Sequence, residues 1–296
     1  MNSVILPSLE MLFDGVMRKF FIFTIVLILG ISVSAQSISD CTPAVPIPPS
    51  SRAFDAGEKL SYVIQYRCLG IRSDVGNARM ELSPTPYFEG RPTFQSVASG
   101  ETVKFFDSFF KVRDVYKSRF FSDNGRPIWF HRDIEEGGYK VTNDMHWNTA
   151  TDEIDAKARY ISSKRSKDTL LAGRPCTYDL ISLFYAARNM DYSEVIPGKN
   201  YPLSFVIDEE IYDIYFRFEG REVKRIPKMG TFRTMKFALM VIEGEVFNGD
   251  YEIFLWISDD KNKIPLWIES PIRVGTVMGR LTGYENLKHP LSSKIK

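Results

Sequence analysis

YEIFLWIS (251–258), DDKNK (259–263) and IPLWIES (264–270) form the stretch whose reading decides the fold. Two runs rich in aromatic and β-branched residues flank a short polar segment, which predicts a β-hairpin. In the first run Ile253, Leu255 and Ile257 alternate with Phe254 and Trp256, so both faces of the strand are apolar. That pattern fits a sheet covered on both sides, or a strand whose second face lines an apolar cavity. Asp259 and Asp260 are expected to cap the turn, since Asp readily bonds its own backbone.

The same alternation extends outward. Leu60, Tyr62, Ile64, Tyr66 and Cys68 alternate with Ser61, Val63, Gln65 and Arg67, the period of a strand with one buried face. Residues 75–82 continue the pattern after a turn at Gly70 and Ser73-Asp74. Further strands are predicted at 93–99, 111–119, 127–133, 138–147, 152–162, 201–207, 210–219, 234–246, 250–258, 264–270 and 273–284. Aromatics make up 14% of the chain, which suits pleated, half-buried surfaces. Phe105, Phe106, Phe109 and Phe110 have helical spacing and predict a helical turn that packs its rings into the core. One amphipathic helix is predicted at 179–190, where Leu180, Leu183, Phe184, Ala187 and Met190 share a stripe behind Asp179 as N-cap. No strand–helix–strand alternation occurs, so a doubly wound parallel sheet is excluded and an antiparallel meander expected. The expected fold is therefore mainly β: an antiparallel curved sheet forming a barrel or half-barrel, with one helix.

The N-terminus carries a compartment signal. From Met17 the chain reads MRKFFIFTIVLILGISVSAQS, with Arg18 and Lys19 before an apolar run from Phe20 to Ile31. Val33 and Ala35 place a secretory cleavage site before Gln36. The run is shorter than the roughly 20 apolar residues that span a bilayer, so it reads as a cleaved signal and not an anchor. Residues 1–16 precede a complete signal, which points to Met17 as initiator; a long charged region before the apolar run is the alternative. Residues 36–53, with Pro43, Pro46, Pro48 and Pro49, read as an extended leader, and 54–290 as a single β-rich domain. The expected location is the periplasm or an outer-membrane-associated site, with no transmembrane segment once the signal is removed.

Four segments, FDAGEKLSYVIQY (54–66), FFKVRDVYKSRF (109–120), YDLISLFYAARNMD (178–191) and FLWISDDKNKIPLWIESPIRVGTVMGRL (254–281), resemble the bacterial family known as domain of unknown function 3108 (DUF3108). The resemblance implies an exported protein of Gram-negative bacteria and supplies no activity, cofactor or catalytic residue.

The chain's own chemistry narrows the function further. With 38 Lys and Arg against 37 Asp and Glu, no net field selects nucleic acid. Of three cysteines, Cys41 lies in the leader, so a disulfide between Cys68 and Cys176 is expected, with two buried unpaired thiols as the alternative. Cys41 is too far from the apolar run for lipidation. His131 and His146 fall in adjacent strands beside Asp133 and Asp144, and their convergence would make a metal or acid–base site. Without it, they read as a solvated strand face. No nucleophile elbow is present, and the glycines of GTVMGRLTGY (275–284) lead into a strand, not a helix, which removes a dinucleotide loop. Arg221, Lys224, Arg225, Lys228, Arg233 and Lys236 form a basic stripe suited to anionic lipid or polysaccharide, or to the defence of a sheet edge. The leading expectation is a non-enzymatic envelope protein that binds an apolar or amphipathic ligand, such as lipid or lipoprotein, without a cofactor. Tyr62, Tyr66, Tyr212, Phe216, Phe254 and Trp256 are the expected contacts. An assembly partner at the envelope and a glycan hydrolase are the alternatives.

Overall fold

A computed structural model describes residues 45–241, 252–272 and 274–296. The signal expected at 1–35, the expected leader up to residue 44 and parts of the strands expected at 234–246, 250–258 and 273–284 lie outside the described residues. Eight strands come first: β1 (Lys59–Cys68), β2 (Ile71–Phe88), β3 (Arg91–Thr102), β4 (Val112–Phe121), β5 (Pro127–Glu136), β6 (Tyr139–Trp147), β7 (Glu153–Tyr160) and β8 (Arg165–Ala172), with a short helix α1 (Lys104–Asp107) between β3 and β4. Then follow β9 (Thr177–Tyr178), the helix α2 (Leu180–Asn189), β10 (Asn200–Ile207), β11 (Glu210–Ile226), β12 (Gly230–Val241), β13 (Ile253–Ser258), β14 (Pro265–Pro271) and β15 (Thr276–Glu285).

All fifteen strands share one curved, unclosed sheet in the order β8 to β1, then β15 to β9. The chain thus starts in the middle of the sheet and winds out to one edge. It then crosses by way of β9 and α2 and winds back until β15 pairs with β1. Among the described residues every strand pairing is antiparallel except β9 with β10.

Curvature brings the returning edge against the concave side of the outgoing arm. The two residues that connect β10 to β11, Asp208 and Glu209, both have positive φ, the backbone of a two-residue hairpin whose twist matches its strands. Neither is glycine, so the turn is held by what it touches. The Arg132 guanidinium of β5 pairs with Asp208, the Asn143 amide of β6 donates to Glu209, and the Tyr160 hydroxyl of β7 donates to Glu209 at 2.9 Å. Around this lock Phe120, Phe130, Met145, Ile154, Val206 and Ile207 form one solid core with Phe54 and Tyr185.

Each expected strand is present over its described residues. Two further strands escaped the sequence reading. β8 (RSKDTLLA) is largely exposed along its length, a charged edge strand with no buried face to announce it, and β9 has two residues. The helical turn at 104–107 forms, but Phe105 and Phe109 stay 70% and 60% exposed, and only Phe106 and Phe110 pack inward, because a four-residue helix has no room for a second buried face. The leader's end is also more ordered than proline content suggests. Ile47 N–H bonds the Asp123 carbonyl, Arg52 and Ala53 are buried, and the Arg52 carbonyl meets His289 Nε2 at 2.9 Å.

Candidate functional site

Helix α2 is anchored at its start by a capping box. Asp179 Oδ1 accepts the N–H groups of Ile181 and Ser182 at 2.8 and 2.9 Å, and Ser182 Oγ accepts the Asp179 N–H at 3.0 Å. Ser118 of β4 donates to the other Asp179 oxygen at 2.7 Å. Burial pushes this carboxyl up to about 6, against those donors. At the helix's other end Arg188 forms a two-pronged ion pair with Glu58, at 2.5 and 2.7 Å, with both side chains buried. Arg188 also donates to the Asn262 carbonyl at 3.1 Å.

These anchors bury one face of α2, Ile181, Ser182, Tyr185 and Arg188, against the outgoing arm. The apolar stripe beside it, Leu180, Leu183, Phe184, Ala187 and Met190, packs only in part: Leu180, Leu183 and Phe184 touch the core with their inner edges, and Met190 touches the Tyr192 cluster. The stripe faces a cavity of about 330 Å³, within the size range of small-molecule sites. The far wall is the concave side of the returning arm: Leu203, Ile214 and Phe216, then Phe237 and Leu239, then Ile253, Leu255 and Ile257, then Ile268. Among the described residues of the lining, Lys263, Ser270, Arg188 and Tyr192 are the side chains with polar heads.

Of the six aromatic contacts expected from sequence, Phe216 lines this chamber and five do not. Tyr62 and Tyr66 point to the concave side but are spent on structure, donating to the carbonyls of Pro265 at 3.1 Å and Val274 at 2.7 Å. Tyr212 stacks on Phe205 and donates to Glu210 at 2.8 Å. Phe254 and Trp256 take the opposite face of β13 from the chamber. There Lys224 lies 3.2 Å from the centre of the Trp256 ring and Lys236 lies 4.4 Å from that of Phe254, while the Trp256 indole donates to Glu222. Three of the six stripe cations thus cover aromatic rings, since Arg221 lies 5.5 Å from the centre of the Phe218 ring; Arg221 also pairs with Asp259 at 3.3 Å, and Arg233 bonds the Ser292 carbonyl. The turn after β13 is capped as expected by Asp260, which accepts from Ser258 Oγ at 3.0 Å and the Asn262 N–H at 2.9 Å.

The expected Cys68–Cys176 bridge does not form. Cys68 is a free thiol beside Tyr66 at the end of the central strand β1, whereas Cys176 is disulfide-bonded and packs with Tyr178 and Ala186 at the edge strand β9. Cys41, the remaining cysteine of the sequence, lies outside the described residues.

His131 and His146 do come together across β5 and β6, but around a carboxylate. His131 Nδ1 is 2.9 Å from one oxygen of Asp144, and His146 Nε2 is 2.8 Å from the other, which also accepts from the Trp129 indole at 3.0 Å. Asp133 pairs opposite Thr142 instead of joining them. With both nitrogens aimed at Asp144 and not at a common point, the expected metal site is not formed. Among the described residues no group of three or more His, Cys, Asp or Glu is placed to hold a metal ion.

Sequence reasoning missed a buried acidic pair. Asp114 and Glu136, on inward positions of β4 and β5, hydrogen-bond each other beside Tyr116 and Arg132. Burial pushes Asp114 up to about 7, and the Glu135 N–H, Glu136 and Arg132 oppose that rise. Direct contact leaves no room between them for the sugar and water that glycoside hydrolysis requires. Lys263 was missed as well, because a lysine in a polar turn carries no sign that it will reach an apolar chamber.

A model of the family described as a protein of unknown function, DUF3108, matches residues 61–282. No curated protein matches the chain. The fold is similar to that of the beta-barrel-like DUF1849 protein from Brucella abortus, with a TM-score of 0.51 at 11% identity over 79% of this chain and 99% of that one. Weaker likenesses are a protein from Bacteroides fragilis described as exported with a YmcC-like fold (TM-score 0.34, 8% identity, 82% and 99% of the two chains), and a protein from Parabacteroides distasonis described as a lipoprotein (0.35, 10%, 83% and 100%). No helix among the described residues is long and apolar enough to cross a membrane.

Proposed function

The chain belongs to the DUF3108 family of proteins of unknown function, and from that premise we propose that it is an exported envelope protein that holds an apolar or amphipathic ligand between α2 and the returning arm of its sheet. One observation carries the reading: the apolar stripe of α2 and the aliphatic face of β13 stand apart across about 330 Å³, where an ordinary core would close. Apolar walls with few polar groups are what a hydrocarbon guest recognises, at about 0.8 kcal/mol for each methylene removed from water. Export is supported independently by the secretory signature at 17–35 and by the disulfide at Cys176, since such bonds persist in oxidising compartments.

The test is saturable fluorescence enhancement of the neutral apolar probe 1-N-phenylnaphthylamine. One site per chain is expected, displaced by linear alcohols with affinity rising about fourfold per added methylene until the chamber is full. Absence of saturable binding, together with no lipid in native mass spectra of the protein from its own envelope, refutes the reading.

A further inference from the structure

Resting on that reading of the chamber, we infer that its ligand is an anionic amphiphile whose carboxylate-type head sits on Lys263. β13 runs the length of the chamber, so Ile253 and Ile257 mark positions about 13 Å apart along the wall at about 3.3 Å per residue. Leu239 is opposite Ile253 in the sheet, and Ser270 and Val277 are opposite each other further round. Lys263, in the turn after β13, defines the other end with Met190 and Tyr192.

The surroundings of this ammonium are unusual for a cation. It donates to the Met190 carbonyl at 2.7 Å, which uses one of its three N–H groups, and it lies 5.4 Å from the centre of the Tyr192 ring. Arg188, the other cation in the lining, is fully matched by Glu58. Among the described residues no carboxylate comes within 4 Å of Lys263; Asp191 acts on it only at longer range. Burial accordingly holds its ammonium below the usual lysine range. A half-buried cation with N–H groups to spare at one end of an apolar chamber is the complement of a molecule with a hydrocarbon tail and one negative head.

The measurement compares dodecanoate with dodecanol as competitors of 1-N-phenylnaphthylamine, on the full mature chain and on Lys263→Met and Lys263→Arg. The wild type is expected to prefer the acid about tenfold, as a hydrogen bond to a charged group allows. Lys263→Met should bring acid and alcohol to within about twofold of each other; Lys263→Arg should keep the preference. Equal affinity for acid and alcohol in the wild type, or a preference that survives Lys263→Met, overturns the inference and leaves the chamber reading intact. Failure of probe, alcohol and acid alike to bind overturns the chamber reading itself.

Discussion

Replacing Glu58 by Gln tests whether the ion pair at the end of α2 holds the helix. The substitution keeps the side chain's size and opens no cavity, so what it removes is charge. Arg188 is 3% exposed and Glu58 1%, which leaves an unmatched guanidinium without access to water. Losing one partner of such a pair costs about 3–5 kcal/mol. Partial compensation remains from the Asn262 carbonyl and from the rings of Phe54, Phe184 and Tyr185, whose centres lie 5.2, 5.5 and 5.6 Å from the guanidinium carbon. The expected loss is therefore near the lower bound, about 3 kcal/mol, a large share of the 5–15 kcal/mol that stabilises a typical domain. Urea unfolding at neutral pH, followed by tryptophan fluorescence, should show the midpoint shifted and the slope unchanged. The double variant Glu58→Gln/Arg188→Met should be destabilised by less than the sum of its single variants, because the stranded charge is gone. A loss below about 1 kcal/mol, the value of an exposed pair, or strict additivity in the cycle, would refute the argument.

Leu255→Trp projects a large ring into the chamber from β13, and is expected to weaken 1-N-phenylnaphthylamine binding more than tenfold with a stability change below about 1.5 kcal/mol; unchanged titration would show that the probe binds elsewhere. Peptide mapping without reduction should recover Cys68 alkylated and Cys176 protected in a disulfide; a Cys68–Cys176 peptide, or an alkylated Cys176, contradicts this. Asp114 is pushed up to about 7 and Asp179 to about 6, so the folded chain keeps protons that an unfolded chain, titrating near about 3.9, releases. Stability should then fall as pH rises from about 4 to about 7 and level off above. Asp114→Asn should flatten the part between about 6 and 7, and a denaturation series with the same slope in both proteins counts against it.

The strand pattern of this fold was legible because burial acts residue by residue: Leu60, Tyr62 and Ile64 face inward for the reason their spacing announces. The facing of β13 was only half legible. Alternation shows that Ile253, Leu255 and Ile257 oppose Phe254 and Trp256, but which set faces the chamber depends on Lys224 and Lys236, brought beside the rings by strands that pair only in three dimensions. Likewise the stripe from Leu180 to Met190 predicts a helix with one apolar side and says nothing about whether that side meets a wall or a void. The lock at Asp208 and Glu209 was hidden for a related reason: its partners Arg132, Asn143 and Tyr160 lie on three strands of the opposite arm.

Why the chamber does not collapse follows from the division of work between the two arms. The outgoing arm grips α2 by its buried face: Tyr185 lies 4.7 Å from Phe54 and 5.1 Å from Phe120 between ring centres, and its hydroxyl meets Ser96 at 3.3 Å. The returning arm is fixed to the outgoing one by β1–β15 pairing and by the Asp208–Glu209 lock, so it cannot close onto the helix without breaking one of them. Two substitutions on one helix should therefore behave oppositely. Tyr185→Ala removes a fully buried ring outside the chamber and should cost about 3–5 kcal/mol, while loosening the wall and weakening probe binding. Leu180→Ala trims a half-buried side chain that touches the core on one side and borders the chamber on the other, so it should cost only about 1–2 kcal/mol and admit longer chains. Equal stability losses at the two positions would mean that the helix is packed on both faces, and that the space between the arms closes in solution.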